Sequence, residues 1–123
     1  RSDGVMFMIG SASKYKSDIQ LLENEVDYSK RILDLHPKSW IDKGEQERGD
    51  VRGRYYGVIA EDVEALGLSE YTTKNEDGEL ESVQYDRLWT LLLPVVREQE
   101  TEIKNLKQEL AALKALLTEK GVI

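Results

Sequence analysis

Trp89-Thr-Leu-Leu-Leu-Pro-Val-Val-Arg-Glu-Gln-Glu-Thr-Glu-Ile-Lys-Asn-Leu-Lys-Gln-Glu-Leu-Ala-Ala-Leu-Lys-Ala-Leu-Leu-Thr118 is the stretch that decides the fold. Trp89, Val96, Ile103, Leu110 and Leu117 stand seven apart. Leu92, Leu106 and Leu113 form a second row, with Gln99 as its one polar member. Placed at a and d, the two rows make the heptad pattern of a coiled coil. A lone helix cannot bury such a stripe, so the chain is built to meet other chains. Glu102 and Glu109 fall at g, and Lys107 and Lys114 at e. In a parallel coil each g residue meets the e residue of the next heptad on its neighbour. Glu102 then faces the partner's Lys107, and Glu109 faces the partner's Lys114. Each surface pair contributes only ~0.5 kcal/mol, but both favour parallel, in-register pairing. Gln99 in the seam helps to fix the register at some cost in stability. The charged flanks argue against the competing reading, a leucine stripe packed on its own domain. The a and d residues leave the oligomer number open.

Working backwards, Pro94 interrupts this helix early and suits the first turn of a second helical segment, where its missing N–H costs nothing. From Pro94 to Thr118 the helix spans ~37 Å, and Asp86 is a reasonable N-cap. Leu80, Val83 and Tyr85 read as a strand leaving a hairpin turn at Asp77-Gly78. Tyr55 to Ile59 reads as a strand, and Ala60 to Leu66 as a short helix closed by Gly67. Residues 42–54, charged and holding Gly44, Gly49 and Gly53, read as a mobile exposed loop. Trp40 and Ile41 suit a short strand. Ile19, Leu22, Val26, Ile32, Leu33 and Leu35 are spaced as one helical face that Pro37 stops. Val5-Met6-Phe7-Met8-Ile9 is a plausible strand that Gly10 ends, and the chain therefore reads as the tail of something longer. The expected fold class is α+β: a small mixed α/β head with an extended loop, then a long C-terminal helix.

The 123 residues leave room for one domain and an extended helix. The net charge of -7 offers no basic stripe to offset phosphate repulsion, which argues against nucleic-acid binding. No cysteine is present, so disulfides and thiolate metal sites are excluded. No apolar run approaches the ~20 residues of a membrane span. His36 has no histidine partner and reads as a helix-end residue. Glu45, Glu47 and Asp50 read as solvated carboxylates, so neither metal nor cofactor is expected. Trp40, Trp89, Tyr55, Tyr56 and Tyr85 read as core or interface.

Ser11 and Lys16 lie five apart after the first apolar run. A serine nucleophile needs a base, and lysine serves when its pKa falls from ~10.4 towards ~7–8. Spacing alone makes Ser13 an equally legal partner, and a solvated polar turn is the commoner meaning of such residues.

Gly10-Ser11-Ala12-Ser13-Lys14-Tyr15-Lys16-Ser17-Asp18-Ile19 resembles the start of the C-terminal intramolecular chaperone of phage endosialidases, tail spikes, tail fibres and neck appendages, the peptidase S74 family. Tyr56-Gly57-Val58-Ile59-Ala60-Glu61-Asp62-Val63-Glu64 is similar to that family's core motif. Asp77-Gly78, then Ser82-Val83-Gln84-Tyr85 and Leu88 through Gln99, are similar to a later segment, and Ile103 onward resembles the closing coiled coil. The resemblance covers nearly the whole chain, in the family's order.

It implies a homotrimer that helps an upstream β-rich fibre or spike of the same polypeptide to fold. The domain then cuts itself off at the Gly10–Ser11 bond, with Ser11 as nucleophile and Lys16 as its general base. Residues 1–10 are then the end of the upstream stalk and 11–123 the chaperone, with a head over 11–88 and a coiled coil over 89–120. Assembly in the cytoplasm of a bacterial host and release from the finished virion component follow from the same resemblance. Ala12 and Lys14 stand where the family often has aspartate and arginine; Lys14 keeps the positive charge and Ala12 loses a carboxylate. Ten residues precede Ser11, which implies an uncleaved or trapped form, a slow or conditional cut, or a cut elsewhere. A trimerisation cap without enzymatic activity is the alternative function.

Overall fold

The computed structural model describes residues 11–122. The expected strand over residues 5–9 and its end at Gly10 lie outside them. The described chain opens with a 3₁₀ turn, Ser13–Tyr15, and continues without helix or strand to α1, Glu25–Ser29. A second 3₁₀ turn, Lys30–Asp34, extends α1. Then come β1 (Lys38–Trp40), α2 (Lys43–Arg48), β2 (Tyr55–Gly57) and α3 (Ala60–Ala65). The hairpin strands β3 (Thr72–Lys74) and β4 (Leu80–Val83) follow. Finally α4 (Tyr85–Leu88), a 3₁₀ turn over Trp89–Leu91 and α5 (Leu92–Glu119) run in unbroken succession. The α/β head and the long helix match the expected class. Two antiparallel pairs, β1–β2 and β3–β4, form separate two-stranded sheets.

Several boundaries differ from the sequence reading, each for a local reason. The first helix begins at Glu25 and not at Ile19, because Asp18 and Asn24 sit in the left-handed region at φ 52° and 50°, where a helix cannot pass. Ile19 and Leu22 are consequently exposed. The supposed loop over 42–54 contains α2. The Asp42 carboxylate accepts the Glu45 N–H at 2.9 Å, which is N-capping, and Gly49 at φ 75° closes the helix. The strand expected at Trp40–Ile41 is Lys38–Trp40. Tyr85 starts α4 and does not belong to β4, and the N-cap of α4 is Gln84, with Asp86 inside the first turn. Pro94 does fall in the first turn of α5, as expected.

Glu45 also departs from the solvated reading, since only 7% of it is exposed. A buried carboxylate must be hydrogen-bonded. One Glu45 oxygen accepts the Arg52 backbone N–H at 3.1 Å and the other accepts the Tyr55 hydroxyl. That hydrogen bond pushes the Tyr55 hydroxyl above its ordinary pKa. Arg54 ties the same corner to β1, donating from Nε to Ser39 Oγ at 2.9 Å and from Nη2 to the Ser39 carbonyl at 3.1 Å. The segment after Asp42 is thus folded onto the head.

The core is small. Val63, Leu68, Leu88, Leu91 and Val95 are its buried apolar residues. Tyr28, Ile32, Leu35, Val58, Leu66, Tyr71 and Val83 pack around the first four. Polar clamps supplement it. The Tyr28 hydroxyl donates to Glu70 Oε1 at 2.7 Å, and the Arg31 guanidinium stands 5.0 Å from the Tyr28 ring centre. Arg31 also donates to the Gly67 carbonyl at 3.1 Å. Burial and then the bond to Glu70 push the Tyr28 hydroxyl up in pKa, and the same bond pulls Glu70 down. Ser29 is fully buried, and its Oγ has no hydrogen-bond partner among the described residues. Ser29→Ala removes that unmet polar group, so stability is expected to hold or rise by up to ~1 kcal/mol. An unfolding free energy from urea titration that falls by more than ~1 kcal/mol would show that the hydroxyl is bonded.

The motif Tyr56–Glu64 turns the chain from β2 into α3, and Tyr85 holds that turn. Its hydroxyl accepts the Val58 N–H at 2.9 Å and donates to the Val58 carbonyl at 3.0 Å. Gly57 makes room: a Cβ there would overlap the Tyr85 hydroxyl and stand 3.1 Å from the Trp40 ring. Gly57→Ala is therefore expected to cost at least about 2 kcal/mol, combining overpacking with two lost hydrogen bonds. Tyr85→Phe, which loses only the bonds, should cost less in the same urea titration. Equal stability of all three proteins would contradict the clamp.

Candidate functional site

Two stripes on the long helix have different surroundings. Leu88, Leu91 and Val95 are buried against the head. Two ion pairs fasten the same end: Lys30 with Glu98 at 3.2 Å and Arg97 with Glu25 at 3.0 Å. The a and d rows lie roughly a quarter turn away at 100° per residue, and the head does not cover them. Trp89, Leu92, Val96, Ile103, Leu106, Leu110 and Leu113 are 42–63% exposed. Gln99 is exposed and Leu117 is half-buried. From Thr101 to Leu116 every residue is exposed. With 28 residues, α5 is about 42 Å long, and its second half projects beyond the head as a bare apolar seam.

Such a contiguous stripe marks an association surface. Burying the exposed half of each seam side chain contributes on the order of 1 kcal/mol. The first heptad is broader than the sequence reading allowed. Leu93, at e, is 48% exposed, so it extends the apolar surface beside Leu92 and Val96.

The expected catalytic pair lies at the other end of the described chain. Ser11 and Lys16 flank the 3₁₀ turn Ser13–Tyr15, and both are exposed. The turn is closed by Tyr15 N–H to the Ala12 carbonyl at 3.1 Å and Lys16 N–H to the Ser13 carbonyl at 3.0 Å. The Lys14 ammonium stands 5.1 Å from the Tyr15 ring centre. Gly10, the other side of the expected scissile bond, lies outside the described residues. The turn and the segment after it expose Tyr15, Ile19, Leu21 and Leu22. The other sequence candidates are separate: His36 borders one open pocket, and Trp40 and Tyr85 line another groove.

Sequence reasoning missed the polar clamps. Tyr85, Glu45 and Tyr28 each act through a partner 10 to 42 positions away, which no short motif reveals. Asn75 offered a better signal: an asparagine before Asp77-Gly78 is a natural turn former. Its Oδ1 accepts the N–H groups of Asp77 and Glu79 at 3.0 and 2.9 Å.

None of the curated proteins compared matches the chain. The profile of the peptidase S74 family, described as chaperone of endosialidase, matches residues 11–73. That stretch begins at Ser11, takes in the exposed turn, the Tyr85-clamped Gly57 motif and α3, and ends within β3, which is just over half the chain. The chain belongs to the peptidase S74 family, the chaperones of endosialidase.

Proposed function

We propose that this domain assembles as a parallel homotrimer, assists the folding of an upstream β-rich fibre or spike of the same polypeptide, and then releases itself by cutting the Gly10–Ser11 bond. The observation that carries the reading is the bare seam from Trp89 to Leu113, projecting from a head of the chaperone family. Intertwined β-fibres have high contact order and fold slowly with aggregation-prone edges exposed. Three joined helices raise the effective concentration of three upstream chains. The flanking charges Glu102, Lys107, Glu109 and Lys114 favour parallel strands, which hold those chains side by side.

For the cut, Lys16 takes the hydroxyl proton of Ser11 and Oγ attacks the Gly10 carbonyl carbon. The C–N bond breaks, the Ser11 nitrogen gains a proton and leaves as a free amine, and Gly10 is held as an ester on Oγ. Water then attacks that ester. Its hydroxyl goes to the Gly10 carboxyl and its proton returns Ser11 to an alcohol. The family match starting at Ser11 and the exposure of Ser11 support this assignment. Release leaves the folded fibre without its assembly aid, so the fibre persists by kinetic stability.

The test is to express the chain with its natural upstream segment and run a denaturing gel. Two fragments are expected, the smaller with Ser11 as its first residue by mass spectrometry. A single uncut chain from a folded, assembled sample would overturn the cleavage and leave a non-enzymatic cap.

A further inference from the structure

An open groove of about 310 Å³ lies between the turn into α3 and the hairpin strand β4. Its half-buried floor is Trp40, Val58, Ile59 and Val83, and its exposed rim carries Glu61, Glu81 and Tyr85. Glu81, Ser82 and Val83 are consecutive and all line it. Successive strand residues point to opposite faces, so the wall they form is the edge of β4 and not one of its faces. Among the described residues that edge has no strand beside it, because β4 pairs only with β3. Thr73 opposes Ser82 and Lys74 opposes Leu80, leaving Glu81 as an extra residue with no opposite number. The Gln84 N–H bonds to the Tyr71 carbonyl at 2.8 Å. Antiparallel alternation then turns the Ser82 backbone groups toward β3 and those of Val83 away from it.

The opposite wall is already satisfied. Tyr85 takes both backbone groups of Val58, and the Ile59 carbonyl accepts the first N–H groups of α3. The groove therefore has one wall able to accept a strand. Its charge is equally one-sided. From Ala60 to Val83 there are eight carboxylates and one cation, Lys74. Asp62 is paired with Lys38 at 2.7 Å, whereas Glu61 and Glu81 form no ion pair among the described residues.

We propose that this groove binds an extended, alternating apolar and basic segment of the polypeptide being folded, added as a strand along the free edge of β4 with a lysine or arginine between Glu61 and Glu81. Main-chain hydrogen bonds supply affinity in strand addition, and the pockets for alternate side chains supply selectivity. The inference rests on the chaperone reading, and it names the surface that would hold an unpaired strand until the fibre takes it over.

The probe is a fluorescent capped peptide alternating valine and lysine, titrated into the full chain and followed by anisotropy. Two control peptides accompany it: one with glutamate for lysine, and one with alternate backbone nitrogens methylated. The valine–lysine peptide is expected to bind, and both controls to fail. Glu61→Gln with Glu81→Gln should weaken binding roughly tenfold, the scale of a lost charge contact. Glu76→Gln, in the hairpin turn and off the groove, should leave it unchanged. Equal binding of the methylated peptide would show plain charge attraction and overturn the proposal, as would indifference to the Glu61 and Glu81 substitutions or no binding at all. Binding that emerges only when seam substitutions make the chain monomeric would assign the groove to a second copy, which also overturns it. The assay measures neither cleavage nor assembly, so its failure is distinct from a failure of the proposed function.

Discussion

Ile103→Asp combined with Leu106→Asp is expected to leave the chain monomeric with its head still folded. The two residues occupy adjacent a and d layers and are exposed on the single chain. In a trimer six carboxylates would meet in those layers without a counter-ion. Each buried, unpaired charge costs several kcal/mol, while each native side chain contributes on the order of 1 kcal/mol. The substitution therefore overwhelms the rest of the seam, and association should weaken by more than about a thousandfold, which needs only ~4 kcal/mol. The head should persist because its contacts with the helix, through Leu88, Leu91, Val95 and the pairs at Arg97 and Glu98, end one turn earlier. Gln108→Asp, at the outward f position, is the control and should assemble normally. Sedimentation and near-ultraviolet circular dichroism read both properties. An assembled double variant, or one that has lost its aromatic signal, would contradict the separation of seam and head.

Ser11→Ala should abolish processing of the longer precursor outright, since it removes the attacking oxygen. Lys16→Ala should slow it by roughly 10²–10⁴-fold, the usual contribution of a positioned general base. Lys16→Arg is the sharper variant: it keeps the positive charge but cannot be deprotonated, so it should behave like alanine if Lys16 takes a proton. Ser13→Ala should still be cut. Spacing alone does not separate Ser13 from Ser11, and the Ser13 carbonyl closes the 3₁₀ turn while Ser11 stands ahead of it. A time course on denaturing gels, with assembly checked for each variant, reads all four. Cleavage surviving in Ser11→Ala, or lost in Ser13→Ala alone, would move the nucleophile.

The parts of this fold legible in the sequence are those whose cause is local. The seam follows from a seven-residue period, the hairpin from Asp77-Gly78, and the end of α3 from Gly67, which sits at φ 76°. The misread parts depend on contacts between distant residues or on backbone states that composition does not show. Ile19 and Leu22 fit a helical period, but the left-handed turns at Asp18 and Asn24 decide against helix there. Residues 42–54 look like loop by charge and glycine content. They fold because the Asp42 cap starts a short helix and because Glu45 finds Tyr55 and Arg52. The proposed pairing of Ser11 with Lys16 came only from the family motif, since a serine and a lysine five apart have no geometry of their own. The role of Gly57 became visible only with Tyr85 beside it, 28 positions on in the sequence.

The small core adds a consequence. A core of Val63, Leu68, Leu88, Leu91 and Val95 among the described residues supports a single chain only modestly, whereas a large reserve of unburied apolar surface lies along the seam. Assembly and stability should therefore rise together with protein concentration.

Sedimentation equilibrium of the wild-type chain at micromolar concentration tests the central claim most directly. A parallel three-stranded seam requires a particle of three times the 14.1 kDa of one chain. A particle of 14.1 kDa would contradict the account, because the stripe from Trp89 to Leu113 would then stay bare in solution.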